Sequence, residues 1–135
     1  MLDRQGKQEP MPTITPISRN THGAKRWRRY NGYKFAASEA VASLVVDELP
    51  RAAMSLPIGF SALGDDFMPA ALLGLAPGQN LLVSPDGRWE GRYIPAIFRG
   101  YPFVLAQADE DREALCIRED SGLVTDGPEG ERFFD

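Results

Sequence analysis

Three arginines, Arg88, Arg92 and Arg99, fall within twelve residues of one another in the stretch "GRWEGRYIPAIFRGYPF", Gly87 to Phe103, which also holds five aromatic residues and two prolines. A guanidinium presents a planar fork of N–H donors that matches a carboxylate or a phosphate, so three of them close together are the material of an anion site. Tyr93 and Tyr101 stand among them and add phenol hydroxyls. The competing use is internal: the arginines can pair with acids of the same chain. Glu48 is the first such acid, because it lies among apolar residues where an unpaired carboxylate is costly to bury.

Other residue types that could do chemistry are sparse. His22 is the single histidine, and no serine or cysteine motif stands beside it to make a nucleophile and base pair. The single cysteine, Cys116 in "ALCI", reads as a small core residue on a strand and permits no disulfide within the chain. Asp65 and Asp66 follow a glycine, the setting of a turn, and the further oxygen ligands a metal would need are not identifiable. "GFSALG" lacks the lysine and hydroxyl residue of a phosphate-binding loop. No cofactor is expected, and the balance favours a protein that binds over one that catalyses.

Several elements must position these side chains. Val41, Leu44, Val45, Glu48 and Leu49 recur at helical spacing, which predicts an amphipathic helix from an N-cap at Ser38 to Pro50. After it, short apolar runs alternate with turn chemistry. "PIGFSAL" and "FMPAALLGL" read as strands. "APGQ" then suits a type II turn, and "SPDG" a type I reversal between "NLLVS" and "RWEGRY". In the latter strand Arg88, Glu90 and Arg92 would face one way and Trp89 and Tyr93 the other, into the core. Pro95 is placed to start, and Gly100 in a left-handed conformation to close, a short helical turn carrying Arg99. "FVLAQA" and "ALCIRE" form a last pair around "DEDRE". The expected fold class is α+β, an antiparallel β-meander sheet with one main amphipathic helix packed on a face.

The chain has 135 residues with 43% apolar content, enough for one domain with its own core. Residues 1–17, polar and proline-rich, read as a flexible leader, and 18–135 as a single domain. No apolar run reaches the roughly 20 residues of a membrane span, and the N-terminus lacks the apolar segment of a signal peptide. The expected location is the cytoplasm, with non-classical export to the cell surface left open. Charge is uneven: six basic residues and no acid lie between Arg19 and Lys34, against ten acids and three arginines from Asp109 to Asp135. The basic run "KRWRRYNGYKF" could hold phosphate or an acidic partner, or neutralise the chain's own acidic end. A net charge of −4 argues against nucleic acid as the partner.

The runs "FAASEAVASLVVDELPRAAMSLPIGF" and "LLGLAPGQNLLVSPDGRWEGRYIPAIFRGYPFVLA", followed by "LCIRED" and "GERFFD", resemble the SapC family of bacterial proteins in their order and spacing. Gly87 to Phe103 carries the most specific part, and Gly59 and Gly100 depart from the usual pattern. The resemblance implies an association with a surface layer or envelope, with no established activity. It also implies that relatives continue past this region into helical sequence. The leading expectation is a non-enzymatic accessory or interaction protein that holds an acidic or peptide-like partner, with Arg88, Arg92, Tyr93, Arg99, Tyr101, His22 and Glu48 as the partner-binding residues. An alternative is an enzyme or enzyme accessory acting on a small carboxylate, with Arg92 as anchor and His22 or Tyr93 handling a proton. A third is a structural subunit, a homo-oligomer joined through exposed sheet edges.

Overall fold

A computed structural model of the chain describes residues 13–135. The expected leader falls mostly outside the described residues. In chain order the elements are β1 (Ile14–Pro16), α1 (Arg19–His22), β2 (Arg26–Trp27), β3 (Val41–Ser43), α2 (Leu49–Ala52), β4 (Ile58–Leu63), β5 (Asp66–Leu72), α3 (Ala96–Arg99), β6 (Phe103–Asp109), β7 (Arg112–Arg118), β8 (Val124–Thr125) and β9 (Glu131–Arg132). The fold is α+β and mostly β, with antiparallel strands throughout. They form three small sheets, ordered β1-β7-β6, β8-β2-β9 and β3-β5-β4, rather than one meander. The hairpins β4–β5 and β6–β7 are sequential; β3, the strand just before β4, completes the β4–β5 sheet, and β1 joins the β6–β7 sheet from far away in the chain.

The helical part is short. A 3-10 turn at Val46–Glu48 runs directly into α2, seven residues in all, instead of one helix from Ser38. The preceding residues alternate: Ala42 and Leu44 are buried while Val41, Ser43 and Val45 are exposed. A period of two is a strand's period, and Val41–Ser43 pairs with Ala70–Leu72 of β5. The apolar valines on the outer face mimic a helical stripe in the sequence. Pro50 sits in the first turn of α2, where its missing N–H costs nothing.

The chain divides into two compact units. The first combines the described residues up to Arg29 with Pro102–Asp135. Its core centres on Cys116, Ile117, His22 and Pro102, bordered by Trp27 packed edge-on against Phe103 at 4.7 Å between ring centroids. The second unit, Tyr30–Tyr101, is built on a cluster of Ala36, Ala42, Leu44, Leu56, Leu73 and Phe98, with Tyr33, Phe35, Trp89 and Tyr93 packed around it. Turn chemistry behaves as the residues require. Gly64 takes a φ of +60° in the two-residue turn between β4 and β5. Gly78 takes +75° in the Ala76–Gln79 turn, the conformation of the third position of a type II turn. Among the described residues no helix is long and apolar enough to cross a membrane.

Candidate partner-binding surface

The segment that holds the three arginines begins at a buried anchor. Asn80 donates from Nδ2 to the Ala36 carbonyl at 3.0 Å and accepts from the Leu82 amide at 2.9 Å. From there Val83 bridges to Trp89, and the turn Ser84–Gly87 closes with Gly87 N donating to the Ser84 carbonyl at 2.8 Å. The reversal forms, but the expected strand Arg88–Tyr93 does not extend beyond this bridge. After the Glu90 amide bonds to Leu82, the chain bends at Gly91. There the Trp89 indole donates to the Tyr93 carbonyl at 3.0 Å, a closure that leaves no room for a side chain, since a Cβ on Gly91 would stand 2.8 Å from the indole nitrogen.

The aromatics turn inward as expected. Trp89 packs on Phe98 and Tyr33 at 5.8 and 5.7 Å between centroids. Burial, and next the Tyr30 hydroxyl, push the Tyr33 phenol pKa up. Tyr101 stacks flat on Phe35, 3.8 Å between centroids and 5° between planes. Its ring is therefore part of the packing of this unit.

Glu48 is the organising acid. It is 6% exposed. Its Oε1 accepts from the Ala96 amide at 3.1 Å and from the Tyr93 hydroxyl at 3.4 Å, while Oε2 accepts from the Val45 amide at 3.4 Å. The carboxylate thus satisfies an amide of the first turn of α3, where the orphan N–H groups also favour negative charge. The sequence suggested that an arginine would relieve its burial. Backbone amides and a phenol do so instead, and the arginine is one step removed: Arg99 Nη2 donates to the Tyr93 hydroxyl at 3.2 Å, and its Nε to the Ile94 carbonyl at 3.0 Å. Its guanidinium lies 5.6 Å from the Tyr93 ring centroid. Pro95 precedes α3 as its N-cap, and Gly100 ends it in a right-handed conformation, φ −81°, rather than the left-handed one expected.

The three arginines accordingly have different situations. Arg88 reaches Asp86 at 3.0 Å and Glu90 at 3.6 Å, in the open. Arg99 is held by the turn it caps. Arg92 is exposed and has no hydrogen bond or ion pair among the described residues.

His22 belongs to the other unit and is fully buried there. The Ser18 amide points at its Nδ1 at 3.4 Å, and the Thr21 hydroxyl lies 2.7 Å from the same atom. Nδ1 is therefore the acceptor, and Nε2 carries the proton donated to Glu119 Oε1 at 2.8 Å. Lys25 approaches the second oxygen of that carboxylate at 3.7 Å. The N-cap spacing of Ser18 and Thr21 could be read from the sequence. The Glu119 partner could not, because it arrives through the pairing of β1 with β7 across the chain.

A family model named SapC matches residues 17–135. The chain belongs to the SapC family. No curated protein and no solved structure matches it.

Proposed function

We propose that this SapC-family chain is a non-enzymatic accessory or interaction protein that holds an acidic or peptide-like partner on the face around Arg92. The observation that carries this reading is the free guanidinium of Arg92 on a fixed backbone: the residues on either side are tied down by the Trp89 indole bond and by the Tyr93–Glu48 contact. A charge presented on a rigid segment loses little freedom when it meets a carboxylate, which is where preorganisation adds affinity. An exposed ion pair alone contributes only about 0.2–1 kcal/mol. Ile97 on α3 is 51% exposed, an apolar side chain open to a residue of the peptide. Arg88 and Arg99, already occupied within the chain, act as the frame of this face.

The test is calorimetric titration with a short peptide of alternating glutamate and leucine, set against its glutamine counterpart. Arg92→Glu is expected to weaken binding of the acidic peptide by about tenfold, the combined loss of attraction and gain of repulsion, with an unchanged melting temperature. Equal binding by Arg92→Glu and the parent chain would sink the proposal. On this reading the protein works in the cytoplasm or, after non-classical export, at the envelope, and cell fractionation separates the two.

A further inference from the structure

The strands β2 and β9 set two arginines directly opposite each other. Arg26 is the cross-strand partner of Arg132. Like charges in this relation destabilise a sheet, and natural sheets usually place an acid in one of the two positions. Glu131, next to Arg132 in the chain, is engaged elsewhere, with Arg29 at 2.8 Å, and Glu119 is taken up by His22 and Lys25. The pair opens onto a cleft of about 360 Å³ within this unit, lined also by Arg19, Lys25, Phe134 and Asp135. Four basic residues and one acidic residue, Asp135, line it. Arg26 donates to the Gly130 carbonyl at 2.9 Å and Arg19 to the Asp135 backbone oxygen at 3.5 Å, and among the described residues neither Arg26 nor Arg132 has a carboxylate partner. Arg19 also lies over the Phe134 ring, 4.8 Å from its centroid, which gives the cleft one apolar wall.

We propose that this cleft binds a phosphate group carried on a small organic molecule. Guanidinium forks on facing positions match the oxygens of a phosphate, whose charge removes the repulsion between Arg26 and Arg132. The volume exceeds what inorganic phosphate fills and lies in the range of small-ligand pockets. Phe134 covers the organic part. This site shares no residue with the face around Arg92 and does not depend on its role.

The test titrates the full chain with pyrophosphate and with glucose 6-phosphate at constant ionic strength, followed by amide NMR shifts. Saturable binding is expected for both if the phosphate dominates. Binding of the ester alone places the main contacts on Phe134 and still supports the site. Arg132→Gln is expected to weaken binding by about tenfold, the scale of one lost charge-assisted contact, while raising the melting temperature of the unliganded chain by removing one member of the like-charge pair. Arg112→Gln, which makes the same change in net charge on the β6–β7 turn, is expected to bind as the parent does. If Arg132→Gln does not fold, Arg19→Gln, an exposed residue outside the sheet, carries the same comparison. Absence of saturable binding for both probes overturns the proposal. So does equal weakening by Arg112→Gln, which would mark diffuse attraction with no defined site.

Discussion

Glu48 takes up three donors from three places in the sequence, so its removal reaches further than one lost contact. In Glu48→Ala the Ala96 amide and the Tyr93 hydroxyl lose a buried acceptor, and unsatisfied buried donors cost about 1–3 kcal/mol each. The expected result is a loss of about 2–4 kcal/mol in urea unfolding, with Glu48→Gln intermediate because its amide oxygen keeps one acceptor. A second residue reports on the Ser84–Gly87 turn. The Ser84 hydroxyl, assisted by Arg88, holds the Asp86 carboxyl below its ordinary pKa. A carboxyl depressed in the folded state contributes stability above its unfolded pKa, and that contribution is lost as the pH falls through the folded value. Carboxyl-detected NMR titration should therefore place Asp86 below the usual carboxylate range. Ser84→Ala should move it back up.

At the scale of elements, the turns were the legible part. Proline and glycine at Ala76–Gln79 and Ser84–Gly87 specify backbone angles locally, and the hairpin strands around them follow from apolar runs. The strand at Val41–Ser43 was hidden because Val41 and Val45 put apolar residues on its outer face, so that period two and period 3.6 both fit. The segment Arg88–Tyr93 was legible as a reversal but not as a loop. What ends the ladder is the indole of Trp89 folding onto the Tyr93 carbonyl, a four-residue side-chain closure that no turn motif announces and that Gly91 makes room for. Of the candidate site, the inward aromatics and the importance of Glu48 could be read in advance. Which arginine stays free could not, since that depends on short contacts to Asp86, Glu90 and Ile94. Gly87 offers a check on the reversal itself. It holds a φ of +89°, and an added Cβ would press on Lys34 Cγ at 2.9 Å. Gly87→Ala should lower the stability by about 1–2 kcal/mol, as an L-residue forced into left-handed space does, and a denaturant midpoint measures this.

For the whole molecule, the second unit is one unbroken segment, Tyr30–Tyr101, whose ends meet: the two terminal tyrosine rings lie 6.4 Å apart, and the Tyr30 hydroxyl donates to the Arg99 carbonyl at 3.2 Å. Its apolar cluster is drawn entirely from within it. Residues 30–101 expressed alone should give a dispersed NMR spectrum of a folded chain, and Leu44→Ala in that fragment should collapse it, since a buried leucine cut to alanine costs about 2–5 kcal/mol. A fragment that stays unfolded without the mutation would contradict this.

The first unit has the opposite arrangement, because Ile14 of β1 pairs with Arg118 and Trp27 of β2 with Glu131. During synthesis the ribosome delivers β1 and β2 long before their partner strands exist. Residues 30–101 can close while still tethered, whereas β1 and β2 wait with open edges until β7, β8 and β9 emerge. Birth order therefore leaves the edges of β1 and β2 unpaired for longer than those of β3, β4 and β5, and a ribosome stalled short of Arg112 leaves them with nothing to pair with.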